Sequence, residues 1–457
     1  MSLGYGESQP RPGDTRRPVV LVVLDGLGDR PVPELGGATP AEAARTPVLD
    51  ELARRGASGW HVPFGWGRAP SSELSHWSLF GYEEVPFPGR AVLEGLGAGV
   101  DVPSGVAVVH AALRTSRSAA DGVWVTGRAA RSDGDDCALL LDVLGPVAGE
   151  HGVEVVPLGG GEALLLLAGH DSGSVSDSDP FLEDLHPWLR PVGTGPEGTA
   201  VAAALTACLL AARRVLRSAP VQNARAARGL PALDLLTTKW AGVRRPLPSF
   251  EAQVGVPGAA VTSSRLYRGL ASLLRLARRD VPAAADLAAD LTARLAAAQE
   301  LLDGGAAFVH VHTKAPDEAG HSRQPYAKRD VLEALDRGLA PLLDLVPGAV
   351  VAVTGDHATP STGGVLHTGD PTPFVVAGGA VRPDEVAAFG ERPARSGDLG
   401  VLRASDVLPL LLQHADRPAF LGHRVGGRRT PALPDRPAVM TEPEADGPDA
   451  GHVGGGA

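Results

Sequence analysis

The stretch Val19-Val-Leu-Val-Val-Leu24, followed at once by Asp25-Gly-Leu-Gly-Asp-Arg30, decides how the chain is read. Six consecutive apolar residues, mostly β-branched and with no polar residue among them, predict a strand covered on both faces. Such a strand belongs to a parallel sheet with helices on either side, because a sheet with one wet face would alternate apolar and polar residues. The acid at its carboxyl end then stands where open α/β sheets bind their ligands.

The neighbouring segments agree with that reading. Thr39-Pro40 looks like an N-cap with proline in the first helical turn, and a second helix is expected over Pro47–Arg55. Strand and helix alternate again past Val261: a helix over 283–302, a strand over 307–312, a helix over 326–345, and strands over 349–354 and 373–377. Between these regions the character changes. Short strand candidates (106–113, 123–127, 153–157, 163–167) alternate with helices near 136–144 and over Gly198–Ser218, and a Pro/Gly/Arg-rich connection covers 240–249. The expected architecture is an α/β fold, a mostly parallel sheet flanked by helices and built from residues 18–105 and 258–430, with an α+β cap inserted over 106–257. Residues 1–17 and 431–457 read as disordered tails. With 457 residues, the chain exceeds what one core comfortably holds.

Composition removes several classes of function. A net charge of −11 argues against non-specific nucleic-acid binding. Two cysteines, Cys137 and Cys208, are too few for a disulfide framework or a thiolate metal site. A polar N-terminal stretch without a signal-peptide core, and the lack of an apolar run of membrane-spanning length, lead to the expectation of a cytoplasmic protein with no membrane partner. Only three of the 42 basic residues are lysines, Lys239, Lys314 and Lys328, so each is less readily taken for a random surface cation.

Acids and histidines gather at the ends of the predicted strands. Asp25 follows the first, Lys314-Ala-Pro-Asp317-Glu-Ala-Gly-His321 follows the strand ending near His312, Gly355-Asp356-His357 follows the strand over 349–354, and His367 comes ten residues later. Each piece alone has a plain structural explanation; Asp317 and His321, for instance, could be a solvated pair four residues apart on a helix. Together, three Asp and three His make two sets of mixed oxygen and nitrogen donors, which suit Mn²⁺ or Zn²⁺, with Mg²⁺ less favoured by imidazole. Ser72, in Pro70-Ser-Ser-Glu-Leu-Ser-His76, stands at or near the start of a predicted helix. Read locally it is either a capping serine or a nucleophile. As a further oxygen ligand it would stand where a two-metal site lowers its pKa and clamps a phosphoryl group. A Ser-His-Asp hydrolase is disfavoured, since no Gly-x-Ser-x-Gly elbow surrounds it.

These motifs, in this order, resemble those of the alkaline phosphatase superfamily, and more narrowly the cofactor-independent phosphoglycerate mutases of the archaeal type. Further matches are Gly26 to Gly37, Leu79-Phe-Gly-Tyr82, Leu93-Glu-x-Leu-Gly-Ala-Gly99, Val175-Ser-Asp-Ser-Asp-Pro180 and Leu247-Pro-Ser-Phe-Glu251, so the resemblance spans about residues 18–420. It implies that Ser72 is transiently phosphorylated while 3-phosphoglycerate and 2-phosphoglycerate interconvert. One metal would be held by Asp25, Ser72, Asp356 and His357, and the other by Asp317, His321 and His367, with Mn²⁺ foremost. Lys314 would reach the phosphate or the leaving oxygen, and the cap would grip a small phosphorylated carboxylate.

Candidate cap cations are Arg114, Arg128, Arg131, Arg225, Arg228, Lys239, Arg244 and Arg245. Asp177 and Asp179 could bind or deprotonate substrate hydroxyls, or could simply be turn residues before Pro180. The cap departs from the family pattern. His110 and Ala112 stand for Arg and Asn, Lys239-Trp240 for Arg-Gly, and Gly160-Gly-Glu162 for Gly-x-His-Arg. In the nucleophile loop Ser71 and Glu73 stand for Gly and Asp. Alternatives are therefore a phosphatase or a phosphoryl or phosphonyl transferase with a different substrate, and a metal-binding regulatory protein without turnover.

Overall fold

The computed structural model of the protein describes residues 15–180, 185–419 and Asp435; the tails expected over 1–17 and 431–457 lie outside them apart from Thr15 to Arg17 and Asp435. The strand Val19–Leu24 (β1) forms as read, with all six side chains buried. Its alternate residues enter different cores. Val19, Leu21 and Val23 pack with Phe80, Phe250 and Phe308, whereas Val20, Val22 and Leu24 pack with Leu291, Leu295 and Leu332. The uninterrupted apolar run is thus explained by two covered faces.

In chain order β1 is followed by β2 (Gly56–His61), β3 (Ala107–Ala119), β4 (Gly122–Arg128), β5 (Val153–Gly159), β6 (Glu162–Leu167), β7 (His186–Pro187) and β8 (Leu235–Val243). Then come β9 (Gly258–Thr262), β10 (Ala277–Asp280), β11 (Phe308–Thr313), β12 (Val350–Thr354), β13 (Thr372–Ala377) and β14 (Val401–Leu402). An eight-stranded sheet runs β10-β9-β11-β1-β12-β13-β2-β14. It is parallel throughout except at β13, which is antiparallel to both its neighbours. Helices flank this mostly parallel sheet, the α/β class expected. Strands β3 to β8 form a second sheet in which every pairing is antiparallel.

Several elements differ from expectation. The helices Arg90–Gly97 and Arg265–Leu274 and the strand β2 occur where loops or nothing definite were read. β8 runs through the first residues of the supposed 240–249 connection. The helix Gly198–Ser218 is long and apolar enough, by length and composition, to cross a membrane, contrary to the expectation that no run reaches that length. Half of its apolar window is buried, with Val201, Leu205, Leu209 and Leu216 in the core of the second sheet.

Register brings the chemistry together. Leu24 pairs with Thr313 of β11 and Val23 with Thr354 of β12. The carboxyl ends of three adjacent parallel strands therefore deliver Asp25, Lys314 and the Asp356-His357 pair to one sheet edge. Within β3 the residues of one face alternate with those of the other. Val109, Ala111 and Leu113 enter the core under Gly198–Ser218, leaving His110, Ala112 and Arg114 on the opposite face.

Candidate active site

Asp25 leaves β1 fully buried, and the next residue lets its loop close on the rest of the site. Gly26 has φ +65°, and a Cβ there would meet the Asp317 Cα at 2.8 Å, so only glycine allows the two backbones to touch. Asp25 Oδ1 lies 3.3 Å from His357 Nε2, which lies 3.5 Å from Asp356 Oδ2. Ser72 Oγ lies 3.0 Å from the same nitrogen and 3.4 Å from Asp25 Oδ1. Beside this group, Asp317 Oδ1 is 3.2 Å from His321 Nε2 and 3.4 Å from His367 Nε2. Asp317 and His321 share a face of the helix Ala315–His321.

These spacings bear on whether metal ions fit. Donors about 2.1 Å from a shared tetrahedral ion lie roughly 3.4 Å from one another, which matches both groups. Asp356 Oδ2 is buried without a hydrogen-bond partner among the described residues, a costly state for a carboxylate that a cation would relieve. Burial and the neighbouring Asp25 push Asp356 up to about 6. Burial disfavours the His357 charge, yet Asp356 and Asp25 raise that ring to about 9. The donor chemistry and the three clustered carboxylates, Asp25, Asp317 and Asp356, fit two divalent cations.

Other side chains hold these donors in place, and sequence reasoning missed them. His312 Nε2 is 3.0 Å from Asp25 Oδ2, and Tyr267 packs on the His312 ring at 3.7 Å. Thr359 Oγ1 donates to Asp317 Oδ1 at 2.7 Å. His76 Nδ1 is 2.8 Å from the Ser72 carbonyl, and Ser75 Oγ donates to the Asp356 carbonyl at 2.6 Å. Lys328, fully buried, donates to the carbonyls of Gly26, Gly28 and Thr359 at 2.8, 2.9 and 2.8 Å and sits 3.1 Å from Asp29. It thereby ties the loop carrying Asp25 to the loop carrying His357. Two signals for these residues exist in the sequence: the rarity of lysine, and histidines two apart in the apolar strand β11.

Ser72 is the first residue of the helix Ser72–Leu79; Ser71 occupies the N-cap and no side chain caps this end. The capping alternative for Ser72 therefore falls away, and its hydroxyl faces the donors instead. Lys314 Nζ lies 2.8 Å from Asp317 Oδ2 and 3.6 Å from Asp25 Oδ2, between the two groups. Burial works against its charge, but the two carboxylates outweigh it and hold the pKa above the ordinary lysine value.

A cavity of about 390 Å³ separates these residues from the second sheet, lined on the far side by His110, Arg114, Arg128, Glu162, Lys239 and Trp240. Three of the sequence-predicted cations thus face Ser72. The others are engaged elsewhere: Arg225 with Asp133 and Asp136, Arg228 with Asp136, Arg244 with the Val102 carbonyl, Arg245 with that of Asp171, and Arg131 in a short turn. Asp177 and Asp179 stand behind the wall. Asp177 accepts from the Trp240 N–H at 2.9 Å, while Asp179 pairs with Arg114 at 3.1 Å and with His186 at 3.1 Å.

The fold and donor groups define a metalloenzyme, and residues 17–414 match the Metalloenzyme superfamily, to which the chain belongs. The relatives narrow this. The chain is 33% identical over 417 residues to a 2,3-bisphosphoglycerate-independent phosphoglycerate mutase of Pyrococcus abyssi, with 89% of this chain and all of that one aligned. It is 37% identical over 404 residues to the enzyme of the same name from Thermoplasma acidophilum, covering 87% and 98%. A solved cofactor-independent phosphoglycerate mutase from Thermoplasma acidophilum superposes with a TM-score of 0.59 at 32% identity, covering 87% and 99% of the two chains. A Pyrococcus horikoshii structure gives 0.71 at 29% identity, covering 88% and 97%. The chain is a member of the 2,3-bisphosphoglycerate-independent phosphoglycerate mutase family.

Proposed function

We propose that the protein interconverts 3-phosphoglycerate and 2-phosphoglycerate in the cytoplasm through a phosphoserine on Ser72. The observation that carries this reading is the position of Ser72 Oγ, 3.0 Å from His357 Nε2 and 3.4 Å from Asp25 Oδ1, on the floor of a cavity roofed by cations. Asp25, Asp356 and His357, with Ser72, would hold one divalent ion, and Asp317, His321 and His367 the other; Mn²⁺ suits this mixture of carboxylate and imidazole, ahead of Zn²⁺ and Mg²⁺. Bound there, the ions lower the pKa of the serine hydroxyl and neutralise charge on the transferring phosphoryl group.

The chain's own residues do the rest. Ser72 Oγ gives up its proton as it attacks phosphorus, the bond from phosphorus to the substrate's C3 oxygen breaks, and that oxygen takes up the proton the serine released. Arg114, Arg128 and Lys239 hold the carboxylate of the freed glycerate while it turns, keeping the C2 hydroxyl near the phosphoserine. The C2 hydroxyl then gives up its proton as its oxygen attacks phosphorus, and Ser72 Oγ leaves and takes that proton back. Lys314, placed between the donor groups, binds phosphoryl oxygens in both steps. Phosphorus NMR of the Mn²⁺-loaded protein with 3-phosphoglycerate is expected to show 2-phosphoglycerate and no free phosphate.

A second reading is a phosphatase or a phosphoryl or phosphonyl transferase acting on another small phosphate or phosphonate. It is favoured by Glu162, whose carboxylate stands in a wall that otherwise suits an anion. Release of inorganic phosphate in the same experiment would select it.

Lys239 gives this reading a pH signature. Burial, and behind it the charges of Arg114, Arg128 and Arg90, push its pKa down to about 8 against the pull of Asp179. The ammonium is present below that pH and lost above it. Since kcat/KM reports groups of the free enzyme, it is expected to fall as pH rises through about 8. In Lys239→Arg, whose guanidinium stays charged, the fall should disappear. An unchanged limb in that variant would remove Lys239 from carboxylate binding.

A further inference from the structure

Trp240 lies within β8 yet has φ +62°, in the left-handed region that side chains bulkier than glycine rarely enter. A strained residue beside a functional cavity persists only where its surroundings over-determine it. Here they do. The Trp240 N–H donates to Asp177 Oδ1 at 2.9 Å, the Arg90 guanidinium lies 3.8 Å over the indole, and Lys239 Nζ is 4.4 Å from its ring centre. The His110 ring is 5.0 Å away. Two residues on, Gly242 approaches Gly89 so closely that a Cβ on Gly89 would meet the Gly242 Cα at 2.4 Å, which fixes β8 against the residue preceding Arg90.

The contacts extend from Trp240 in both directions. Arg90 continues to Glu73 Oε2 at 3.3 Å, beside Ser72. His110 Nε2 lies 3.7 Å from Glu162 Oε1, and Glu162 is held by Arg265 at 2.8 Å. His110 Nδ1 is buried with no hydrogen-bond partner among the described residues. Glu73, Arg90, His110, Glu162, Lys239 and Trp240 all line the one cavity. Arg90 joins Glu73 to Trp240, Lys239 reaches the same indole, and His110 joins Trp240 to Glu162, so these six residues make one connected wall facing Ser72.

We propose that Trp240, backed by His110, is the specificity-determining residue of this cavity: its indole sets the length of the non-phosphorylated end of the substrate, admitting a three-carbon phosphorylated hydroxy acid and excluding a longer one. The inference rests on the phosphoryl-transfer reading of Ser72. Among the described residues the indole is the one large apolar side chain in a wall otherwise made of charged and imidazole groups, and it takes up the space of several methylenes there; one methylene against a fitted apolar surface changes discrimination by roughly 10- to 200-fold. The positive φ adds a second consequence: glycine at 240 removes the ring without disturbing the backbone, since glycine adopts this conformation freely.

The test compares 3-phosphoglycerate with a phosphorylated hydroxy acid one carbon longer, using the Mn²⁺-loaded full chain. In Trp240→Gly the ratio of kcat/KM values is expected to move at least about tenfold toward the longer acid. Trp240→Phe, which keeps a ring, should hold the original ratio. Trp240→Asn, small and tolerant of the left-handed region, serves if the glycine variant does not fold. A ratio unchanged within about twofold in a folded small-residue variant overturns the proposal, because a fitted wall must discriminate by more than that. Should the unaltered protein turn over neither acid, the mutase reading has failed separately. The same two acids are then compared by the rise in Tm each produces, where a shifted preference upholds the wall and an unshifted one overturns it.

Discussion

Replacement of Ser72 by alanine is expected to abolish phosphoryl transfer while leaving most metal binding intact. The serine supplies one neutral oxygen to a donor group whose other members, Asp25, Asp356 and His357, are all buried. Those groups dominate the attraction for a cation, so the affinity of that site should weaken by about ten- to a hundredfold, as when a contact of secondary importance to the metal is removed, and both sites still fill at saturating metal. The rate behaves differently. Loss of the attacking atom leaves only binding and electrostatic stabilisation, and comparable deletions of a nucleophile cost on the order of 10⁶ in kcat. Stability should barely change, because Ser71 occupies the N-cap and neither serine caps the helix with its side chain. Turnover, metal content and transfer of label from substrate to protein are measured together. Substantial residual activity, or labelling of the alanine variant, would take the nucleophile's role away from Ser72.

Much of this site can be read from residue order, and the reason is topological. Parallel strands end at a common edge, so Asp25, the Lys314–His321 segment and Asp356-His357 had to converge once their strands were recognised. β1 was recognisable because both its faces are covered. β2 was not: Gly-Ala-Ser-Gly-Trp-His contains two glycines and no β-branched residue, and it is a strand because β13 and β14 pair with it on either side. β8 was obscured similarly, since Thr237, Thr238 and Lys239 present polar side chains in a strand whose partner is β3. The supporting residues were hidden for another reason. Lys328 and Tyr267 lie on helices far in sequence from what they hold, and no local pattern says that an ammonium on one helix bridges two strand-end loops. Asp177 and Asp179, expected as candidates to touch substrate, instead hold Trp240 and Arg114 from behind. Their position before Pro180 left turn residues and substrate contacts equally open, and it could not say on which side of the wall the two acids stand.

Removing the metal is expected to end turnover completely, with Mn²⁺ restoring it, and the two donor groups should be separable by stoichiometry. Asp25 and Asp356 are both fully buried, and Asp356 Oδ2 has no hydrogen-bond partner among the described residues, so without a metal the His357 ring and Lys314 are left to offset carboxylates that a divalent ion would satisfy directly. A ligand that binds only the folded chain stabilises it by about 2.7 kcal/mol when present at 100 times its Kd, so chelation should lower Tm by several degrees and Mn²⁺ should reverse the fall. Asp356→Asn weakens the group around Ser72, and Asp317→Asn weakens the group formed with His321 and His367. Each variant is expected to retain about one ion where the unaltered protein holds two, because the groups share no ligand. The kinetic consequences should still be alike. A phosphoryl group clamped from both sides loses its in-line stabilisation when either ion is missing, so both variants should fall at least about a thousandfold, the scale seen when a preorganised charge is deleted. Full activity after exhaustive chelation would exclude metal from the reaction, and loss of both ions from either single variant would show the two groups to be one site.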